Sequence, residues 1–164
     1  MKKFLLLISI GLLTFPLFGQ INTDSIFNSA IQAARAEQYE KALAEAKTVL
    51  TELPNRADVM VFIANVYSWQ GQYDEALTYI DKAYRVNNAS SELYTTWLNT
   101  LLWSKSYEKL LEVATLAETN QYTDNYNLFY KRTLAYQGLG DYEQGITWIE
   151  SHTSYLDSIR IKEI

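Results

Sequence analysis

Along most of this chain, apolar residues return every third or fourth position. Met60, Ile63, Ala64 and Tyr67 form one such stripe, and Ala76, Ile80 and Ala83 form the next. That spacing follows the 3.6-residue turn of a helix with one face toward a core. Gly71 and Gly140 fall between stripes, where one helix must stop and the chain must turn. Asp74, Glu75 and Glu143 come just after those turns, where a helix start carries partial positive charge. Thr23-Asp24 and Ser90-Ser91-Glu92 read as caps for two further helices.

The opening of the chain has no such period. Met1-Lys2-Lys3 precedes a 15-residue apolar stretch, Phe4–Phe18. A membrane-spanning helix needs about 20 apolar residues, so this one is short and reads as a signal peptide over residues 1–19. Gly19 suits the last position before a cut, although Leu17 is large where a small residue is preferred. The expectation is an exported protein, periplasmic or associated with an outer membrane. No second stretch could span a bilayer, so the mature chain carries no membrane span.

A longer period organises the rest. Tyr39, Tyr73, Tyr107 and Tyr142 are 34, 34 and 35 residues apart. Each sits in a similar phrase: Gln38-Tyr39-Glu40-Lys41-Ala42, Gln72-Tyr73-Asp74-Glu75-Ala76, Ser106-Tyr107-Glu108-Lys109-Leu110 and Asp141-Tyr142-Glu143-Gln144-Gly145. A repeated unit of this length cannot bury its apolar face alone, so neighbouring units must stack. This period and phrase resemble the tetratricopeptide repeat family over about residues 23–159. The second repeat carries Met60-x2-Ile63-Ala64-x2-Tyr67 and then Ala76-x3-Ile80, close to the family pattern. The third has Leu110 and Ala114 where the pattern has small then large, a swap that conserves volume. The fourth has Arg132 at the usual leucine position, which is expected to weaken its first helix.

The resemblance implies an all-α fold: a right-handed superhelical solenoid of four helix–turn–helix repeats after the signal peptide. The repeats are placed at about 23–56, 57–90, 91–124 and 126–159, within a unit spanning 20–159. A short apolar tail, 160–164, follows. The stretch Ala57–Ala76 is also similar to the periplasmic repeat segment of YaiO-like outer-membrane β-barrel proteins. No alternating barrel strands follow it here.

Composition narrows the chemistry. There is no cysteine and a single histidine, His152, so disulfides, thiol catalysis and a His-rich metal site are not indicated. The net charge is −5, and loss of residues 1–19 leaves 12 basic against 19 acidic residues, a balance of −7. Such a surface repels phosphate backbones, so nucleic acid is not an expected partner. No zinc-protease or nucleophile-elbow motif is present. Gly138-Leu139-Gly140 lacks the spacing and the preceding strand of a phosphate loop. The chain reads as a non-enzymatic scaffold with no cofactor and no metal.

In the family, the first helix of each repeat lines a concave surface. By that correspondence, two positions repeat identically: Asn65 with Asn99, and Trp69 with Trp103, each pair 34 apart. Asn and Trp are four residues apart in each helix and so share a face. Repeat four places Tyr130 and Gln137 on that face, and repeat one Phe27 and Arg35. The candidate partner-binding residues are therefore Asn65, Trp69, Asn99, Trp103 and Tyr130. Flat indoles beside amides suit a protein or extended peptide partner, and equally a polysaccharide whose sugars stack on aromatics. The competing reading packs both tryptophans between neighbouring repeats. The leading expectation is a scaffold holding a peptide or protein; the alternative is a periplasmic module of a polysaccharide-handling outer-membrane assembly.

Overall fold

The structure is a computed structural model that describes residues 22–122 and 124–152. The expected signal peptide, 1–19, and the expected apolar tail, 160–164, lie outside the described residues. Eight helices follow in order among those described: α1 (Thr23–Arg35), α2 (Tyr39–Glu52), α3 (Ala57–Trp69), α4 (Tyr73–Val86), α5 (Ser91–Trp103), α6 (Tyr107–Thr119), α7 (Asn125–Leu139) and α8 (Tyr142–Ser151).

The turn phrase works the same way four times. Glu37, Gly71, Lys105 and Gly140 all take a left-handed backbone, with φ of 58°, 73°, 58° and 72°. The next amide closes a six-residue loop back onto the first helix: Gln38 to Ala33, Gln72 to Tyr67, Ser106 to Leu101 and Asp141 to Tyr136, at 2.9 to 3.0 Å. This is the Schellman arrangement, and glycine enters it without steric cost. Glu37 and Lys105 adopt the same conformation against the preference of an L side chain.

The caps differ in part from expectation. Asn22, not Thr23 or Asp24, caps α1 by accepting from the Ser25 amide at 3.0 Å. Ser90 caps α5 as expected, accepting from Leu93 at 3.3 Å. Asp124 and Asp141 cap α7 and α8 in the same manner.

Small residues occupy the same place in three of the four helix pairs, and Leu110 occupies it in the third. Ala42, Ala76 and Ala30 are fully buried, and Gly145 takes the equivalent place in the last pair. A Cβ on Gly145 would meet the Tyr136 Cβ at 3.2 Å, closer than ordinary van der Waals contact. The reversed pair of repeat three, Leu110 and Ala114, is completely buried on both sides.

Arg132 does not shorten α7, which runs for 15 residues. Its guanidinium lies over the Trp148 ring, 4.6 Å from the centroid, and donates to Glu118 Oε2 at 2.8 Å and Thr115 Oγ1 at 3.0 Å. The planar cation stacks where a leucine would pack, and a carboxylate pairs its charge. His152 extends the stack, its ring 3.6 Å from Trp148.

Stacking sets the curvature. Each second helix packs on the first helix of the next repeat. In addition α3 lies directly against α5, and α5 against α7, whereas no two second helices pack to that extent among the described residues. The touching first helices form the shorter arc, so their outer faces line the inside of the curve.

Candidate functional site

The left-handed turn residues provide a register for the inner face. Two residues before each of them stand Arg35, Trp69, Trp103 and Gly138; six residues before stand Ile31, Asn65, Asn99 and Leu134. The Asn/Trp pair therefore occurs in repeats two and three only. In repeat four the equivalent residues are Leu134 and Gly138, not Tyr130 and Gln137. α7 begins 34 residues after α5 but its left-handed turn comes 35 after, so one extra residue within α7 puts Gly138 rather than Gln137 in the place of Trp103, while Tyr130 lies about one helical turn before Leu134.

The inner face opens as a cavity of about 520 Å³ between α1 and α3, reaching the start of α5. Phe27, Ile31 and Ala34 form one wall, and Phe62, Asn65 and Trp69 the other. Phe27 and Phe62 meet edge to face at 5.3 Å on its floor. Arg35, Asp58 and Glu92 bring charge to it.

Trp69 is 49% exposed and Trp103 42%, so neither indole is buried between repeats. Trp69 still leans on the preceding repeat, its ring 6.3 Å from that of Tyr39. The Trp69 ring is thus packed on one side and open on the other. Asn65 is half-buried and shares the cavity with Trp69; Asn99 is half-buried on α5. Trp103 borders a second cavity of about 420 Å³ with Leu134, Gln137 and Gly138. Tyr107 occupies the space that a Cβ on Gly138 would need. Tyr130 is 47% exposed and stacks on Tyr126 at 6.3 Å, away from both cavities.

The sequence reading missed Arg56. Its guanidinium donates to Asp24 Oδ1 at 3.0 Å and to both oxygens of Asp58, at 2.9 and 2.7 Å. It also lies over Phe27, 5.6 Å from the ring centroid. The hydrogen bonds from Arg56 hold the Asp58 carboxyl below its ordinary range, and those carboxylates raise the arginine further. One cation thereby ties repeat one to repeat two at the mouth of the groove. The 34-residue interval from Asp24 to Asp58 was the available signal.

Among the described residues no cluster of His, Cys, Asp and Glu has the makings of a metal site, and no helix is long and apolar enough to cross a membrane.

Comparisons with known proteins agree with this architecture. The family described as Tetratricopeptide repeat matches residues 33–95. No curated protein matches in sequence. Among solved structures, a tetratricopeptide repeat protein from Parabacteroides merdae superposes with a TM-score of 0.63 at 20% identity, covering 81% of this chain and 52% of that one. This chain thus spans about half the length of that relative. The TPR2B domain of yeast Sti1, in complex with pHsp70, superposes with a TM-score of 0.64 at 15% identity, over 70% of this chain and 96% of the domain. A MamA double mutant from RS-1 gives 0.68 at 22% identity, over 78% and 71% of the two chains. Residues 33–95 thus match the tetratricopeptide repeat family, and the same turn geometry recurs beyond them at Lys105 and Gly140.

Proposed function

We propose that this chain is an exported scaffold that holds an extended peptide or protein segment in the groove formed by its first helices. The observation that carries the reading is the half-exposed Trp69 beside Asn65 in an open, aromatic-floored cavity on the inside of the curve. A large aromatic ring that packs on one side only leaves its other face to a partner, and such rings are frequent binding hot spots. The Asn65 amide can both donate to and accept from a peptide backbone. The likeness in fold to a domain solved in complex with pHsp70 supports a protein partner. Export rests on the Lys2-Lys3 start and the apolar run after it, and predicts a mature chain beginning at Gln20 by mass spectrometry of the native protein.

The test separates binding from stability. Random peptides displayed on phage are panned on the protein, and affinities of the enriched sequences are measured by fluorescence polarisation. Trp69→Ala is expected to weaken binding by about 1–3 kcal/mol. Its effect on the urea midpoint should fall well short of the 3–5 kcal/mol typical of a buried aromatic. Unchanged affinity in Trp69→Ala rejects the groove as the binding site.

A further inference from the structure

The second residue of α1, α3 and α5 is acidic: Asp24, Asp58 and Glu92, at intervals of 34. Placement near a helix N-terminus accounts for the residue type. It does not account for how differently the three are used. Asp24 and Asp58 share Arg56, which stands immediately before α3. The residue in the same place before α5 is Ser90, whose hydroxyl is committed to capping. Glu92 is left exposed, with no ion pair or side-chain hydrogen bond among the described residues, and it lines the cavity together with Asp58 and Phe62. The groove is therefore acidic along the rim where its helices begin. The opposite rim carries Arg35, Trp69 and Trp103, eleven residues further along each helix, or about 16 Å at the helical rise.

Resting on the groove as a peptide site, the geometry points to a partner segment that carries a lysine or arginine. Its cation takes, between Asp58 and Glu92, the place that Arg56 takes between Asp24 and Asp58. The first junction supplies its own cation and the second receives one from the ligand. Phe62 lines the same cavity as Asp58 and Glu92 and offers an aromatic ring there, although it stands one residue beyond the position equivalent to Phe27. A partner of this charge also suits a chain with an excess of acidic residues.

The same displayed peptide library tests this. Sequences enriched on the wild-type protein should contain a basic residue at one position. Their affinity should fall about fivefold to tenfold in Glu92→Gln, and less so at high salt. Ser90→Arg, which supplies the missing internal cation, should abolish the basic preference, while Arg35→Gln on the other rim should leave it intact. Far-UV circular dichroism melts of each variant separate lost binding from lost folding. Enriched peptides without a basic residue, or full affinity in Glu92→Gln while Trp69→Ala binds weakly, overturn the basic partner and leave the groove reading standing. No enrichment above a blank support, or full affinity in Trp69→Ala, overturns both.

Discussion

Gly138 offers a sharp test of the repeat register. It lies inside α7, where glycine costs about 0.8–1 kcal/mol relative to alanine, so Gly138→Ala should stabilise on propensity alone. The structure reverses that sign. The Tyr107 ring, at the start of α6, sits where the new methyl must go, and a ring cannot yield as a flexible chain end does. Overpacking of this kind costs about 1–3 kcal/mol, which leaves a net loss of about 1 kcal/mol. In a Tyr107→Ala background the obstruction is gone, and the same Gly138→Ala change should stabilise by about 1 kcal/mol. The two changes therefore couple by about 2 kcal/mol, well above the 0.3–0.5 kcal/mol within which distant sites add. Urea unfolding followed by far-UV circular dichroism measures it without interference from nearby Trp103. Equal stabilisation by Gly138→Ala in both backgrounds would refute the placement of α6 against α7.

Two further perturbations probe the core. Ala76→Leu, at a fully buried crossing of α3 and α4, should cost about 1–3 kcal/mol, whereas Asp74→Asn on the exposed first turn of α4 should cost about 0.3–1 kcal/mol; equal urea midpoints for the two reject the crossing. Lys131 is only 8% exposed on α7, and burial holds its ammonium below the ordinary lysine value of 10.5, partly offset by Asp124. The unfolded chain holds that proton more tightly, so stability from this group rises with pH between the depressed native value and 10.5, and the penalty is complete below it. Lys131→Met should thus be more stable than wild type at pH 7, with an advantage that shrinks as the pH approaches 10.5 in a series of urea titrations.

The helices were legible because their stops are written in local chemistry. The Tyr39, Tyr73, Tyr107 and Tyr142 phrases mark the same left-handed turn whether or not glycine is present, as Glu37 and Lys105 show. Core positions followed from the stripes for the same local reason. The site was legible only where two repeats carry identical residues. Asn65 and Trp69 share a cavity as their four-residue spacing suggests, whereas in repeat four a 35-residue interval moves Gln137 one position off that register and Tyr130 stands one turn away from it. Arg132 read as a defect because a leucine rule has no term for a cation sandwiched by Trp148 and Glu118, residues 16 and 14 positions away. Arg56 escaped notice because one of its acids, Asp24, lies 32 residues away on another helix, and its adjacent pairing with Asp58 does not announce that second partner.

The contact of each repeat with its immediate neighbours alone gives the molecule a directional mechanical weakness. Val59, Val61, Ile63 and Val66 of α3 and Leu93, Tyr94 and Leu98 of α5 are almost wholly enclosed, while α8 encloses only Gly145 among the residues described. Amide hydrogen exchange should therefore be faster in α8 than in α3 and α5. A segment laid across the first helices from Arg35 to Trp103 touches three repeats at once. It would act as a splint along the array, so occupancy at one end would slow solvent exchange in helices it never contacts.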